Sequence, residues 1–198
     1  MTAVTIKKPP VRDRLLAAAD ELFYAEGVHT VGIDRVIDRA GVAKASLYSA
    51  FRSKEALVRA YLEARHERRR VRLLHSLAAY EDPRERLLGV FDVLAEIATA
   101  PTFRGCAFYN AAAESPDGGA VQEVCDTTRA WTRGLFTELA RDAGARHPEQ
   151  LTAQLMVLYD GAMAGARMDR RPQAMADARA VAATLLRSQL TPVAQPIG

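Results

Sequence analysis

The stretch from Thr30 to Lys54 constrains the fold of this chain more than any other. Apolar residues recur in it at the i, i+3, i+4, i+7 spacing of one helical face, at Ile33, Val36, Ile37 and Ala40. Gly41 suits the left-handed residue that ends a helix. A second segment, residues 43–51, turns Leu47 and Phe51 inward at i, i+4. Two amphipathic helices joined by a glycine turn predict a helix-turn-helix, whose second helix fills a DNA major groove.

The second of these helices has polar and small side chains on its outward face. They are Lys44, Ala45, Ser46, Tyr48 and Ser49. A lysine can reach guanine acceptors, and an alanine methyl can contact a thymine methyl. We expect this face to contact DNA, with Thr30 and Lys54 serving phosphates; the alternative for Lys44 is a merely solvated lysine.

The run AGVAKASLYSAF, followed by SKEALV, closely resembles the DNA-binding signature of the tetracycline-repressor (TetR) family of bacterial transcription regulators. The resemblance is specific from about Arg12 to Leu62, and beyond that it is one of length, helical character and placement. It implies an all-α fold of about nine helices, with a three-helix DNA-binding domain followed by a helical-bundle domain. It also implies repressor activity, effector binding, and a phosphate contact rather than a base contact for Tyr48.

This chain departs from the family pattern at three positions. Relatives often carry Ser or Thr at the starts of both helices of the motif, where this sequence has Gly32 and Ala43. An alanine cap forfeits about 1 kcal/mol of helix stability, and two expected phosphate contacts become doubtful. Ala50 stands where relatives usually have His or Tyr, so one aromatic backbone contact is expected to be missing. Groove shape is then expected to carry part of the specificity.

Charge is unevenly distributed along the chain. Residues 1–75 carry 15 Lys and Arg against 9 Asp and Glu, whereas residues 76–198 carry 12 against 15. A basic front on an acidic remainder fits a polyanion-binding domain carried on a separate one, although the two parts could differ by chance. Together with the helix-turn-helix motif, this predicts a DNA-binding domain at residues 1–54, with a disordered basic arm at 1–11. Residues 55–198 are predicted to bind an effector and to dimerise.

The segment TFRGCAFYNAAAESPDGG places aromatics, a thiol and an amide on one short, interrupted helix. Such residues could line a cavity for a small apolar or amphipathic ligand, or they could be ordinary core. A lone tryptophan and several methionines on the following helices fit the same alternatives. The predicted ligand-binding residues are Phe91, Phe103, Cys106, Tyr109, Asn110, Trp131, Met156, Tyr159 and Met163.

The segment GAMAGAR leaves little side-chain bulk on its helix, so another helix can approach closely. We expect this helix and the last one to form half of a four-helix homodimer interface, because a single helix-turn-helix reads too few base pairs for useful specificity. The alternative is that the two helices pack on each other within one chain. The predicted interface residues are Leu158, Gly161, Ala162, Gly165, Ala178, Val181 and Leu185.

Enzyme chemistry finds little support in this sequence. The four histidines show no metal-ligand spacing, and there is neither a phosphate-binding loop of the Walker type nor a GxGxxG motif after a strand. We expect no catalytic residue, metal or cofactor. The expected partners are a palindromic DNA operator, a small effector and a second copy of the chain. A ligand-independent DNA-binding dimer and an enzyme that uses the helical body are the remaining alternatives.

Two further features bear on the setting of the protein. Only two cysteines occur, Cys106 and Cys125, which fits a reducing cytoplasm. Either thiol could sense oxidants, although buried inert thiols are more common. No run of about 18 apolar residues is present, so no membrane partner is expected.

Overall fold

The computed structural model describes residues 8–190, and all of their regular structure is helical. The helices are α1 Val11–Glu26, α2 Ile33–Ala40, α3 Lys44–Phe51, α4 Lys54–Leu77, α5 Pro83–Ala98, α6 Ala107–Ala113, α7 Ala120–Asp142, α8 Pro148–Asp169 and α9 Gln173–Gln189. The prediction of an all-α chain of about nine helices is confirmed for these residues. Most of the predicted basic arm, residues 1–7, lies outside the described part of the chain, and Val11 already begins α1.

Two helix starts follow the capping signals in the sequence. The Ser53 hydroxyl accepts a hydrogen bond from the Ala56 amide at 3.0 Å, at the start of α4. The Asp82 carboxylate accepts one from the Arg84 amide at 3.0 Å, at the start of α5. These contacts satisfy amides that a helix N-terminus leaves without an intrahelical partner.

The helix-turn-helix has less side-chain capping. Gly32 and Ala43 precede α2 and α3, and neither supplies a side-chain hydrogen bond. Gly41 ends α2 in the left-handed region at φ +61°, as expected for the turn between the two helices. The turn therefore follows the local sequence, whereas the N-cap residues of α2 and α3 leave the helix amides without a side-chain cap.

The first of two compact units contains residues 8–65 and 107–125. In it, α1 packs against α2 and α3, and these two helices pack against each other. Leu15, Val36 and Leu47 are fully buried at this junction. Burial of such side chains contributes roughly 1.5–3 kcal/mol each, so the helix-turn-helix is held by its own small core.

The second unit contains residues 66–106 and 126–190. In it, α9 packs against both α5 and α8. The Phe136 ring lies between those of Phe91 and Tyr159, with ring centroids 6.0 and 6.1 Å apart, respectively. All three side chains are buried, so this unit has an aromatic centre.

The two units do not follow the predicted boundary between residues 54 and 55. The division falls inside α4 and again inside α7, and residues 107–125 group with the N-terminal helices. The predicted boundary used a sequence motif, whereas the units reflect packing. Within residues 8–190, none of the helices has both the length and the apolar character needed to span a bilayer.

Candidate nucleic-acid interface

Buried side chains and Arg12 hold α3 in place, and Arg14 binds the end of α2 that precedes it. Leu47 and Phe51 point inward, with 0% and 5% of their surface exposed. The Arg12 guanidinium lies 4.9 Å from the centre of the Phe51 ring, and Arg14 donates a hydrogen bond to the Ala40 carbonyl at 2.6 Å. The burial of Leu47 and Phe51 fixes which face of α3 is turned outward.

The outward face of α3 carries the side chains that the sequence predicted to meet DNA. Lys44, Ala45 and Ser49 are exposed, Tyr48 is 45% exposed, and Ser46 is half-buried. Residues spaced as i, i+1, i+4 and i+5 lie on one side of a helix. The structure thus gathers a cation, a phenol and hydroxyls on one accessible face, although the DNA contacts themselves remain predictions.

Lys44 has a partner that the sequence analysis did not anticipate. Its ammonium lies 2.9 Å from the carboxylate of Asp34 in α2, and both side chains are largely exposed. The hydrogen bond to Asp34, and then the charge of Asp34, raise the pKa of Lys44 above its usual value. Exposed ion pairs are weak, so a phosphate or a guanine can compete for this lysine.

Thr30 and Lys54, the predicted phosphate contacts, lie at or beside the α1–α2 turn (residues 27–32). Thr30 is exposed. The Lys54 ammonium donates a hydrogen bond to the His29 carbonyl at 3.2 Å. An ammonium has three donors, so this contact leaves two for a phosphate.

Arg52 is a basic residue at this surface that the sequence analysis missed. It is exposed, follows α3 directly, and has the unusual backbone angles φ +64° and ψ −36°. The Ser53 amide donates to the Phe51 carbonyl across it at 2.7 Å, which closes a strained γ-turn. A cation placed immediately after a predicted recognition helix is the signal that could have identified it.

The predicted ligand-binding residues divide between the two units. Phe91, Met156, Tyr159 and Met163 belong to the hydrophobic core of the second unit, and Phe103, Cys106 and Trp131 pack against that core. Tyr109 and Asn110 belong to the first unit, and Tyr109 is 75% exposed. The structure therefore brings seven of the nine residues together in one unit, and their role in binding stays a prediction.

A polar cluster lies beside these core residues in the second unit. Arg69 donates hydrogen bonds to the Tyr159 hydroxyl at 2.8 Å and to the Thr132 hydroxyl at 3.2 Å. The His66 ring packs edge-on against Trp131, with ring centroids 5.7 Å apart. Burial, followed by the charge of Arg69, lowers the pKa of His66. This cluster was not predicted, because in the sequence Arg69 belongs to a run of arginines that suggests a solvated helix.

The predicted dimer residues also divide into two groups. Ala162 and Ala178 are buried within the chain, and a Cβ on Gly165 would lie 3.1 Å from the Ala174 side chain. The chain's own packing thus buries two of these positions and places α9 against the third, and their place in a dimer surface stays a prediction. The remaining positions are at least partly exposed: Leu158, Gly161, Val181 and Leu185.

Comparison with known proteins agrees with this architecture. The family model for bacterial regulatory proteins of the tetR family matches residues 15–61. A TetR-family transcriptional regulator from Streptomyces coelicolor superposes with a TM-score of 0.87 at 32% identity, over 91% of this chain and 96% of the other. The structure of a putative TetR-type transcriptional regulator from Streptomyces avermitilis superposes with a TM-score of 0.79 at 32% identity. The match covers 91% of this chain and 98% of the other.

Two curated regulators are similar over a smaller share of their length. The transcriptional activator FasR of Mycolicibacterium smegmatis is 32% identical over 135 residues, which is 67% of this chain and 60% of FasR. The transcriptional repressor NemR of Escherichia coli K12 is 30% identical over 147 residues, which is 73% of this chain and 66% of NemR. This chain thus matches less than two thirds of the length of either regulator.

The helical fold, the accessible α3 face and these similarities define a helix-turn-helix DNA-binding transcriptional regulator. The chain belongs to the TetR family.

Proposed function

We propose that the protein is a homodimeric repressor that leaves a palindromic operator when a small apolar or amphipathic ligand binds. The observation that carries the DNA-binding part is the exposed α3 face, held outward by the burial of Leu47 and Phe51. In this proposal each α3 enters a major groove, with the two half-sites about 34–36 Å or a multiple of it apart. The proposal places the protein in the cytoplasm with its DNA.

The DNA surface of this proposal has side chains that read bases and side chains that bind phosphates. Lys44 and the Ala45 methyl meet base edges, with Ser46 and Ser49 beside them, and Tyr48 binds a phosphate. Thr30, Lys54 and Arg52 serve the phosphates on either side of α3. The absence of side-chain caps on α2 and α3 supports this assignment, because their amide ends are left for phosphate oxygens.

The effector part of the proposal rests on the second unit. Trp131 and Tyr159 supply aromatic surface, Met156 and Met163 supply adaptable apolar surface, and Arg69 with its hydroxyl partners supplies polarity. An effector that changes operator affinity 5- to 150-fold needs a coupling free energy of about 1–3 kcal/mol.

The dimer part rests on the exposed side of α8 and α9. Val181 is 47% exposed and Val157 is 72% exposed, which is unusual for valines on helices that otherwise pack inward. Gly161 on the same helix as Val157 has open space where a side chain would stand. Apolar and small exposed residues of this kind support helix packing against a second copy.

Activation is the second candidate, and a specific observation favours it. The curated relative from M. smegmatis is named an activator, whereas the one from E. coli is named a repressor. Both functions use the same operator-binding surface, so the α3 assignment is common to them. The sign of the effect on transcription separates them.

The test of DNA binding compares Lys44→Ala and Tyr48→Ala with the unchanged protein on the DNA upstream of its own coding sequence. Loss of Lys44 is expected to weaken binding about 5- to 100-fold, which corresponds to roughly 1–3 kcal/mol for a base contact. Loss of Tyr48 is expected to weaken binding to a similar degree on every sequence variant of the site. Fluorescence anisotropy at several salt concentrations measures both effects.

The matched control is Arg133→Ala, which removes an exposed cation from α7. It is expected to leave the affinity within about twofold of the unchanged protein, since long-range charge effects are screened by salt. Equal affinity of the Lys44, Tyr48 and Arg133 variants would contradict the assignment of α3 as the recognition helix.

A further inference from the structure

The α1–α2 turn is held from inside by apolar side chains. Val28 and Val31 are 7% and 0% exposed, whereas His29 and Thr30 between them are exposed. The Val31 amide donates to the Gly27 carbonyl at 3.4 Å. Val28 and Val31 thus anchor the turn in the core, and His29 and Thr30 between them face solvent just before the N-terminus of α2.

A carboxylate from a distant part of the chain binds this turn. Glu114 directly follows α6 and accepts a hydrogen bond from the His29 amide at 2.8 Å, across 85 positions of sequence. Both residues belong to the first unit. The carboxylate also lies against Gly27, where a Cβ would be 2.6 Å from its Oε1 atom and 2.7 Å from Oε2. Gly27, at φ +100°, leaves room for this carboxylate.

His29 is also bound at its carbonyl oxygen. The Lys54 ammonium donates to the His29 carbonyl at 3.2 Å. The amide and the carbonyl of His29 are therefore taken by an anion and a cation from two different elements. Charge-assisted hydrogen bonds of this type are stronger than neutral ones, so together they fix the backbone orientation of the turn.

We propose that Glu114 is a positioning residue for DNA binding, which fixes the α1–α2 turn so that Thr30 and the amide end of α2 face a phosphate. This inference rests on the proposed DNA surface. A carboxylate repels phosphate, so Glu114 acts through the turn and makes no contact with DNA. Its essential property is a side-chain oxygen at the position of Oε2, which accepts the His29 amide.

The test compares Glu114→Gln, which keeps a carbonyl acceptor, with Glu114→Ala, which removes it. Glu114→Ala is expected to weaken operator binding by about fivefold or more, the effect of losing at least one ordinary hydrogen bond. Glu114→Gln is expected to stay within about twofold of the unchanged protein. The matched control is Glu138→Ala, an exposed carboxylate on α7, which is expected to leave binding unchanged.

Two readouts separate positioning from contact. The dependence of affinity on salt concentration is expected to keep its slope in Glu114→Ala, because the weakened phosphate contacts come from an uncharged hydroxyl and backbone amides. Lys44→Ala removes a cation and is expected to lower the slope by about one. Hydrogen exchange of the His29 amide is expected to be faster in Glu114→Ala and nearly unchanged in Glu114→Gln.

Three outcomes would overturn the inference: unchanged operator affinity in Glu114→Ala, equal losses in the Gln and Ala variants, or unchanged His29 exchange in Glu114→Ala. Failure of the proposed function is distinguishable from these outcomes. If the proposed function is wrong, Lys44→Ala and Tyr48→Ala bind DNA as tightly as the unchanged protein does, independently of the result for the Glu114 variants. If those two variants lose binding and Glu114→Ala does not, only the positioning role is wrong.

Discussion

Arg52 shows at the level of a single residue how backbone strain and charge are combined beside α3. A side chain at φ +64° is strained, and glycine adopts this conformation freely. The arginine nevertheless stands here, exposed, between α3 and Lys54. A residue that lowers stability where a cation is useful fits a role in binding the DNA backbone.

Arg52→Gly is therefore expected to stabilise the fold and to weaken DNA binding at the same time. Relief of about 1–3 kcal/mol of strain exceeds the roughly 0.5–1 kcal/mol entropy cost of a glycine. The free energy of unfolding in urea is expected to rise by about 1 kcal/mol, while operator affinity falls and its salt slope drops by about one.

The chain offers a close control for this substitution. Arg170 is the other described non-glycine residue with positive φ, at +56°, and it is exposed at the end of α8. Arg170→Gly is expected to stabilise the protein in the same way without changing DNA affinity. If Arg52→Gly binds the operator as tightly as Arg170→Gly does, Arg52 has no part in binding.

Local spacing accounts for what the sequence could predict at this scale. The i, i+4 pattern was enough to bury Leu47 and Phe51 and to turn Lys44 outward. It could not predict the pairing of Lys44 with Asp34, nor that of His29 with Glu114. Those contacts depend on how elements separated by 10 and 85 positions meet in space, which no periodicity encodes.

At the level of helices, two starts follow capping residues, which are local features of the sequence. Ser53 and Asp82 cap α4 and α5 through side-chain hydrogen bonds. The small residues of α8 were less informative. A helix stripe of glycine and alanine permits close packing against any neighbour, so it could not tell α9 of the same chain from a second copy. Gly165 faces α9, whereas Gly161 faces open space.

Gly161→Leu tests the dimer surface, because it adds bulk where the chain itself has room. The substitution is expected to preserve the fold, since leucine is a better helix former than glycine, which costs about 0.8–1 kcal/mol relative to alanine. It is expected to convert a two-chain species into single chains in sedimentation experiments. The control Gly134→Leu adds the same bulk at an open position on α7 and is expected to leave the mass unchanged. A dimer that persists in Gly161→Leu would favour a different interface.

For the molecule as a whole, the family resemblance predicted the fold class and the general function, and the comparisons confirmed both. The division of the chain was harder to predict, because the N-terminal motif suggested a boundary at residue 54. The first unit also includes residues 107–125, through contacts such as the 2.9 Å ion pair of Arg59 with Glu123. Sequence order alone does not indicate that residues 107–125 group with the N-terminal helices.

A fragment of residues 1–65 is therefore expected to be less well ordered than the same residues in the full chain. It keeps the three N-terminal helices but lacks Glu114 and Glu123, which bind the His29 amide and Arg59. Hydrogen exchange in the α1–α2 turn is expected to be faster in the fragment. Equal protection in both proteins would indicate that residues 107–125 are dispensable for this turn.

The grouping of residues 107–125 with the N-terminal helices also bears on the engineering of hybrid regulators, in which parts of two relatives are joined. A recognition module cut at a single junction would leave Gly27 and His29 facing a foreign loop, with no assurance of a carboxylate at the position of Glu114. To exchange operator specificity between relatives, a hybrid would then have to take residues up to 65 and residues 107–125 from the same parent.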